Sequence, residues 1–144
     1  MRALAVFIMT CLLLLSAAVH AQTVTVMMAR DVSAEVQDVF VAAPGEPNVD
    51  LVFAARERVT GFRVLGIFLE SVSEDGRARF TAKTLHTLPA LEPQRPLRVI
   101  MQFLGSIPNN GIAYEDADGV TRTFSVEESG MDGSLQLTPI TVVP

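Results

Sequence analysis

Two histidines, His20 and His86, and one cysteine, Cys11, are all the imidazole and thiol in the 144 residues. A zinc site needs three or four ligands converging on the ion. No carboxylate stands at ligand spacing from His86, so the sequence places it as a surface residue at a strand end. A serine nucleophile needs a base and an orienting acid, commonly on a Gly-x-Ser-x-Gly turn. No serine here sits in such a turn. The expectation is a protein that is not an enzyme, with no catalytic residue, no metal and no cofactor.

Three other groupings could carry chemistry. Glu115, Asp116 and Asp118 gather ahead of Gly119. Calcium takes six to eight oxygens, and this cluster lacks the spacing of a calcium loop. An Asp-Gly hairpin with solvated acids is the simpler reading. Thioethers suit Cu(I), but Met27, Met28, Met101 and Met131 form no Met/His motif. Met28 and Met101 fall on apolar strand faces, where packing explains them. The third grouping is basic. Arg77, Arg79 and Lys83 share one face of an alternating stretch, and Arg63 lies on the stretch before it. Such a stripe could meet an acidic partner through complementary charge, so these four are the candidate partner-binding residues. Tyr114, the single tyrosine, could lock a turn by bonding to backbone.

The elements that must position these groups lie downstream of a leader. Arg2 is followed by an apolar run from Ala3 to Val19, then His20-Ala21 and a change of composition at Gln22. One positive charge, an apolar middle and small residues at 19 and 21 make a secretory signal cleaved after Ala21. A membrane anchor would be short, and no basic stop-transfer cluster follows. A lipoprotein would need Cys11 at the end of the run, not inside it. Cleavage leaves residues 22–144, enough chain for one domain with a core of its own. It removes the only cysteine, which suits a bacterial periplasm or surface more than a disulfide-dense module. It also removes one of eleven basic residues and none of sixteen acids, so the net charge goes from −5 to −6. An acidic chain argues against nucleic acid and anionic membrane as partners. A protein partner is expected instead.

The remainder reads as strand nearly throughout. Alternating or apolar stretches occur at 23–30, 36–42, 49–55, 61–70, 77–86, 97–104, 112–114, 120–126 and 135–143. Gly, Pro, Asn and Asp separate them. Residues 33–41 could make a turn or two of helix after Ser33, but their valines and Phe40 favour a strand. The stretch 61–70 is apolar on both faces, as in a strand covered on both sides. Leu88 to Pro96 contains three prolines and is expected to cross between sheets rather than lie in a strand. Short strands at this spacing predict an all-β, immunoglobulin-like sandwich of two sheets.

One family resemblance emerges from the middle of the chain. Phe62-Arg63-Val64, Leu69, Gly76, Lys83-Thr84-Leu85, Leu88-Pro89-Ala90 and Pro93 resemble the central hairpin and following loop of the small periplasmic curli-assembly chaperones. The Cys-x-Cys pair of the enterobacterial members is absent, and the segment from Leu104 to Gly133 is longer. The resemblance implies an immunoglobulin-like domain that keeps secreted amyloid subunits unaggregated, with the basic stripe as contact for an acidic subunit. The other expectation is an accessory structural domain of an envelope or surface complex that pairs a strand with its partner.

Overall fold

The computed structural model describes residues 22–42, 45, 47–103, 107–129 and 131–144. The expected leader and its cleavage site fall outside them, as do parts of the turn at 43–46. The described chain forms nine strands: β1 (Val24–Met28), β2 (Asp38–Val41), β3 (Val49–Ala55), β4 (Val59–Val72), β5 (Ala78–Leu91), β6 (Leu97–Met101), β7 (Asn110–Glu115), β8 (Thr121–Glu128) and β9 (Leu135–Pro139). A single 3-10 turn, Ala29–Asp31, follows β1.

The strands make two stacked sheets, and the fold is an all-β sandwich. The first has the order β1-β3-β6-β2 and the second β5-β4-β7-β8-β9. Neighbours pair antiparallel except β2 and β6, which run parallel. Alternation sets the inner faces, because successive side chains of a strand point to opposite sides. From the first sheet come Leu51 and Phe53 of β3, facing Val99 and Leu97 of β6. From the second come Phe62 and Val64 of β4, Ile112 and Tyr114 of β7, and Phe124 and Val126 of β8. The rings of Phe53 and Phe62 meet between the sheets at 6.0 Å and 56°, a tilted contact that suits aromatic quadrupoles. Each fully buried side chain of this size contributes about 1.5–3 kcal/mol.

Contacts join the two sheets at both lateral sides of the sandwich. At β1 and β9, Gln22 Nε2 donates to the Leu137 carbonyl at 2.9 Å. At β2 and β5, the rings of Phe40 and His86 stack at 4.4 Å and 9°. His86 is thus a half-buried residue in the middle of β5 that links the two sheets, not a strand-end surface residue.

A second, smaller core lies on the outer face of the second sheet. Leu65, Ile67 and Ala113 are buried there under Phe80 and Ile140. Two register shifts bend the β4–β5 hairpin, between Val64 and Leu65 and between Leu69 and Ser71, as bulges do. After β9 the chain brings Ile140 over this cluster. Val142 then forms a parallel bridge with Phe80, and Val143 N–H donates to Phe80 O at 2.8 Å. The two apolar faces predicted for 61–70 are therefore both covered as far as Ile67, and no further. Phe68, Leu69 and Val72 beyond it are exposed.

Gly111 makes this arrangement possible. A Cβ on it would lie 2.3 Å from Phe124 O and 2.5 Å from Ile67 Cδ1. Without a side chain, β7 lets Ile67 fold over it.

Pro89 corrects the crossing expected at 88–96. β5 runs on to Leu91, and the chain changes sheets only through Glu92–Pro96. β5 is the edge of its sheet, and Pro89 takes a position facing away from β4, where no ladder bond needs its missing N–H. The turn expected at 107–111 is also shorter. Asn110 and Gly111 already belong to β7, and the buried Asn110 side chain donates to Gln102 O at 2.6 Å.

Candidate partner-binding hairpin

The β4–β5 hairpin carries all four basic residues singled out in the sequence, and the structure does not gather them into one stripe. Its turn is tied by Ser73 N–H to Arg77 O at 3.0 Å and Gly76 N–H to Ser73 O at 2.9 Å. Arg77 pairs with Asp75 at 3.0 Å inside that turn. Arg79 reaches Glu70 across the hairpin at 4.0 Å. Both pairs are well exposed, so solvent screens them and they constrain the arginines weakly. Lys83 and Arg63 have no ion pair among the described residues.

Register places these last two on opposite faces. Val64 points into the main core, so Gly66 shares its face, and Lys83 stands opposite Gly66. Arg63 lies on the other face, with Leu65. Lys83 thus looks toward the interior side at the open end of the sandwich, while Arg63 lies half-buried on the outer side. Arg79 shares the face of Lys83, because Phe80 beside it turns to the outer cluster, and Arg77 lies in the turn; Arg63 alone departs from the expected stripe.

The apolar residues around Lys83 were not singled out by the sequence. Phe68, Leu85 and Ile107 are 55%, 37% and 52% exposed. With Ala42, Met101 and Pro108 they line an open groove of about 450 Å³ where the hairpin passes the end of β6. The available signal was the double-faced pattern of 61–70: its apolar positions outnumber the surfaces able to cover them.

The acidic loop resolves into a hairpin turn between β7 and β8. Asp116 N–H bonds Val120 O, and Gly119 N–H bonds Asp116 O, both at 3.0 Å. Gly119 has φ 74°, a conformation glycine adopts without strain. One Asp116 oxygen accepts the N–H groups of Asp118 and Val120 at 3.0 Å, and the other accepts Arg122 Nε at 2.9 Å. These donors, Val120 first and Arg122 next, hold the Asp116 carboxyl below its usual range. Among the described residues no three His, Cys, Asp or Glu side chains group as a metal site.

Met101 is fully buried and Met28 packs partly buried against the main core, while Met131 is almost wholly exposed. They share no site. Tyr114 is buried, its ring stacked on Phe124 at 5.8 Å. No described helix is long and apolar enough to cross a membrane.

Comparisons with protein-family models, with curated proteins and with solved structures find no match to this chain.

Proposed function

We propose that this chain is an exported, non-enzymatic binding and assembly module of the periplasm or cell exterior, one that holds a secreted amyloid-forming subunit of the curli type unaggregated through its β4–β5 hairpin. The observation that carries this reading is the distal hairpin itself. Phe68, Leu69, Val72 and Leu85 are exposed on it beside Arg77, Arg79 and Lys83, in a chain whose net charge is negative. An exposed apolar cluster rimmed by charge is the usual mark of a protein contact. Lys83, which has no ion pair among the described residues, offers an acidic chain a partner beside that cluster. The leader-like segment at 1–21 supports export.

The test is fibrillation of an acidic curli-type subunit followed by dye fluorescence, with residues 22–144 added at sub-stoichiometric ratio. The lag phase should lengthen. Unaltered kinetics would exclude the reading.

The second reading, a structural domain of an envelope complex, draws on Val39 and Val41. Both are about half exposed on β2, the free edge of the first sheet. Co-fractionation with the envelope, rather than release as a free monomer, would favour it.

A further inference from the structure

We infer that the free edge of β5 between Ala82 and Thr87 is a strand-addition site, and that its occupant is an extended segment of the partner polypeptide that carries apolar and acidic residues together on one face. This rests on the reading of the chain as a binding module and goes further by naming the edge and the chemistry it selects.

Backbone direction defines the open window. Ile67 N–H donates to Asn109 O of the chain before β7. Its neighbours Gly66 and Phe68 therefore face β5, and bond Lys83 and Thr81. By alternation Phe80, Ala82 and Thr84 turn their N–H and C=O groups away from β4. Phe80 confirms this, since its carbonyl accepts Val143 N–H at 2.8 Å. That bridge also shows the edge in use as a template for an added strand, here a segment of the same chain. At the other end Pro89 blunts the edge, because it has no N–H to offer. Between these two stops nothing among the described residues pairs with β5. Unpaired strand edges recruit extended backbone.

Side chains set which backbone. On the groove side of the window stand Phe68, Leu85 and Lys83. A segment added there would place every second side chain on that side. Apolar residues would cover Phe68 and Leu85, and an acid would face Lys83, which has no ion pair of its own. A second copy of this chain fits less well, since it would bring a second Lys83, not an acid, to the seam.

The probe is a short end-blocked peptide with valine, glutamate and valine at every second position and threonine between them, titrated into isotope-labelled protein, with amide exchange and chemical shifts as readout. The Ala82 and Thr84 amides should become protected while the rest of the β5 ladder stays unchanged. A82P removes one outward N–H and no ladder bond to β4, and should weaken the peptide about tenfold or more. K83E should weaken it roughly fivefold and favour the lysine counterpart of the peptide. Protection of these amides in wild type decides the matter even if A82P fails to fold. No protection at saturating peptide, protection elsewhere, or protection arising from concentration-dependent dimers without peptide would each overturn the inference. The outcomes also separate it from the broader function. If A82P still delays fibrillation as well as wild type, strand addition is wrong and the holding function stands. If the peptide binds at Ala82 but wild type leaves fibrillation unaltered, the edge site stands and the holding function fails.

Discussion

The backbone of Thr23, with that of Val24 beside it, faces the Tyr114 hydroxyl and favours its ionised form. One phenol in β7 therefore reaches the start of β1, a strand of the opposite sheet. The Thr23 carbonyl accepts Arg56 N–H at 2.8 Å. From sequence, Tyr114 is expected to lock a turn through its hydroxyl. Its hydroxyl faces the other sheet instead.

Y114F should cost about 1–2 kcal/mol, because it strands buried polar groups without changing shape. Burial first, against the opposing backbone bonds, raises the Tyr114 pKa above its ordinary value. A raised folded-state pKa means stability that is complete below the unfolded value and lost as pH rises through the folded one. Alkaline titration followed by phenolate absorbance reads this residue alone, since the chain has a single tyrosine. The transition should fall above that of a free tyrosine and coincide with the onset of unfolding. A transition at the ordinary value would contradict the burial.

Gly111 and Ile67 give a packing prediction. G111A forces a methyl against Phe124 O and Ile67 Cδ1, and overpacking of this kind costs about 1–3 kcal/mol. Trimming Ile67 in the same chain should recover only part of the loss, because the Phe124 carbonyl cannot be trimmed. Chemical denaturation of the single and double variants measures both effects.

Acid should weaken the fold through two turn carboxylates. Asp116 is held low by Val120 and Arg122. Asp132 is held low first by the Ser134 side chain and then by its N–H, which lies 2.9 Å from an Asp132 oxygen. Depressed folded-state values contribute stability that is present above the unfolded carboxylate range and lost as pH falls through the folded values. Melting temperature should therefore decline on acidification below that range. D116N should flatten the decline, since an amide does not titrate there. An acid limb identical in D116N and wild type would show that Asp116 does not contribute.

Much of this architecture was legible where one physical rule dominates. Leu97, Val99 and Met101 alternate inward because one face of β6 meets the core, and the pattern states that face directly. Asp116-Gly119 announces a hairpin because glycine is needed at positive φ. Other features depend on contacts far apart in sequence. By sequence alone Pro89 ends a strand, and only the edge position of β5 makes it harmless. His86 reads as a strand-end residue, and only Phe40 of the other sheet, stacked on it, gives it a place between the sheets. The parallel pairing of β2 with β6 leaves no local trace. The basic residues were visible, but the bulge beside Leu65 puts Arg63 on the face opposite Lys83. Val142 could not be matched with Phe80 from periodicity, because the bridge joins a tail to a bent hairpin.

The hairpin surface can be separated from stability by substituting residues the core does not use. Phe68 and Leu85 are exposed and outside both buried clusters. F68S with L85S should leave thermal melting close to wild type, within the small range usual for surface changes.

The most direct measurement adds this double variant, beside wild type, to a fibrillating acidic subunit. Wild type should lengthen the lag while the equally stable variant does not. A variant that delays fibrillation as strongly as wild type would contradict the assignment of the contact to the β4–β5 hairpin.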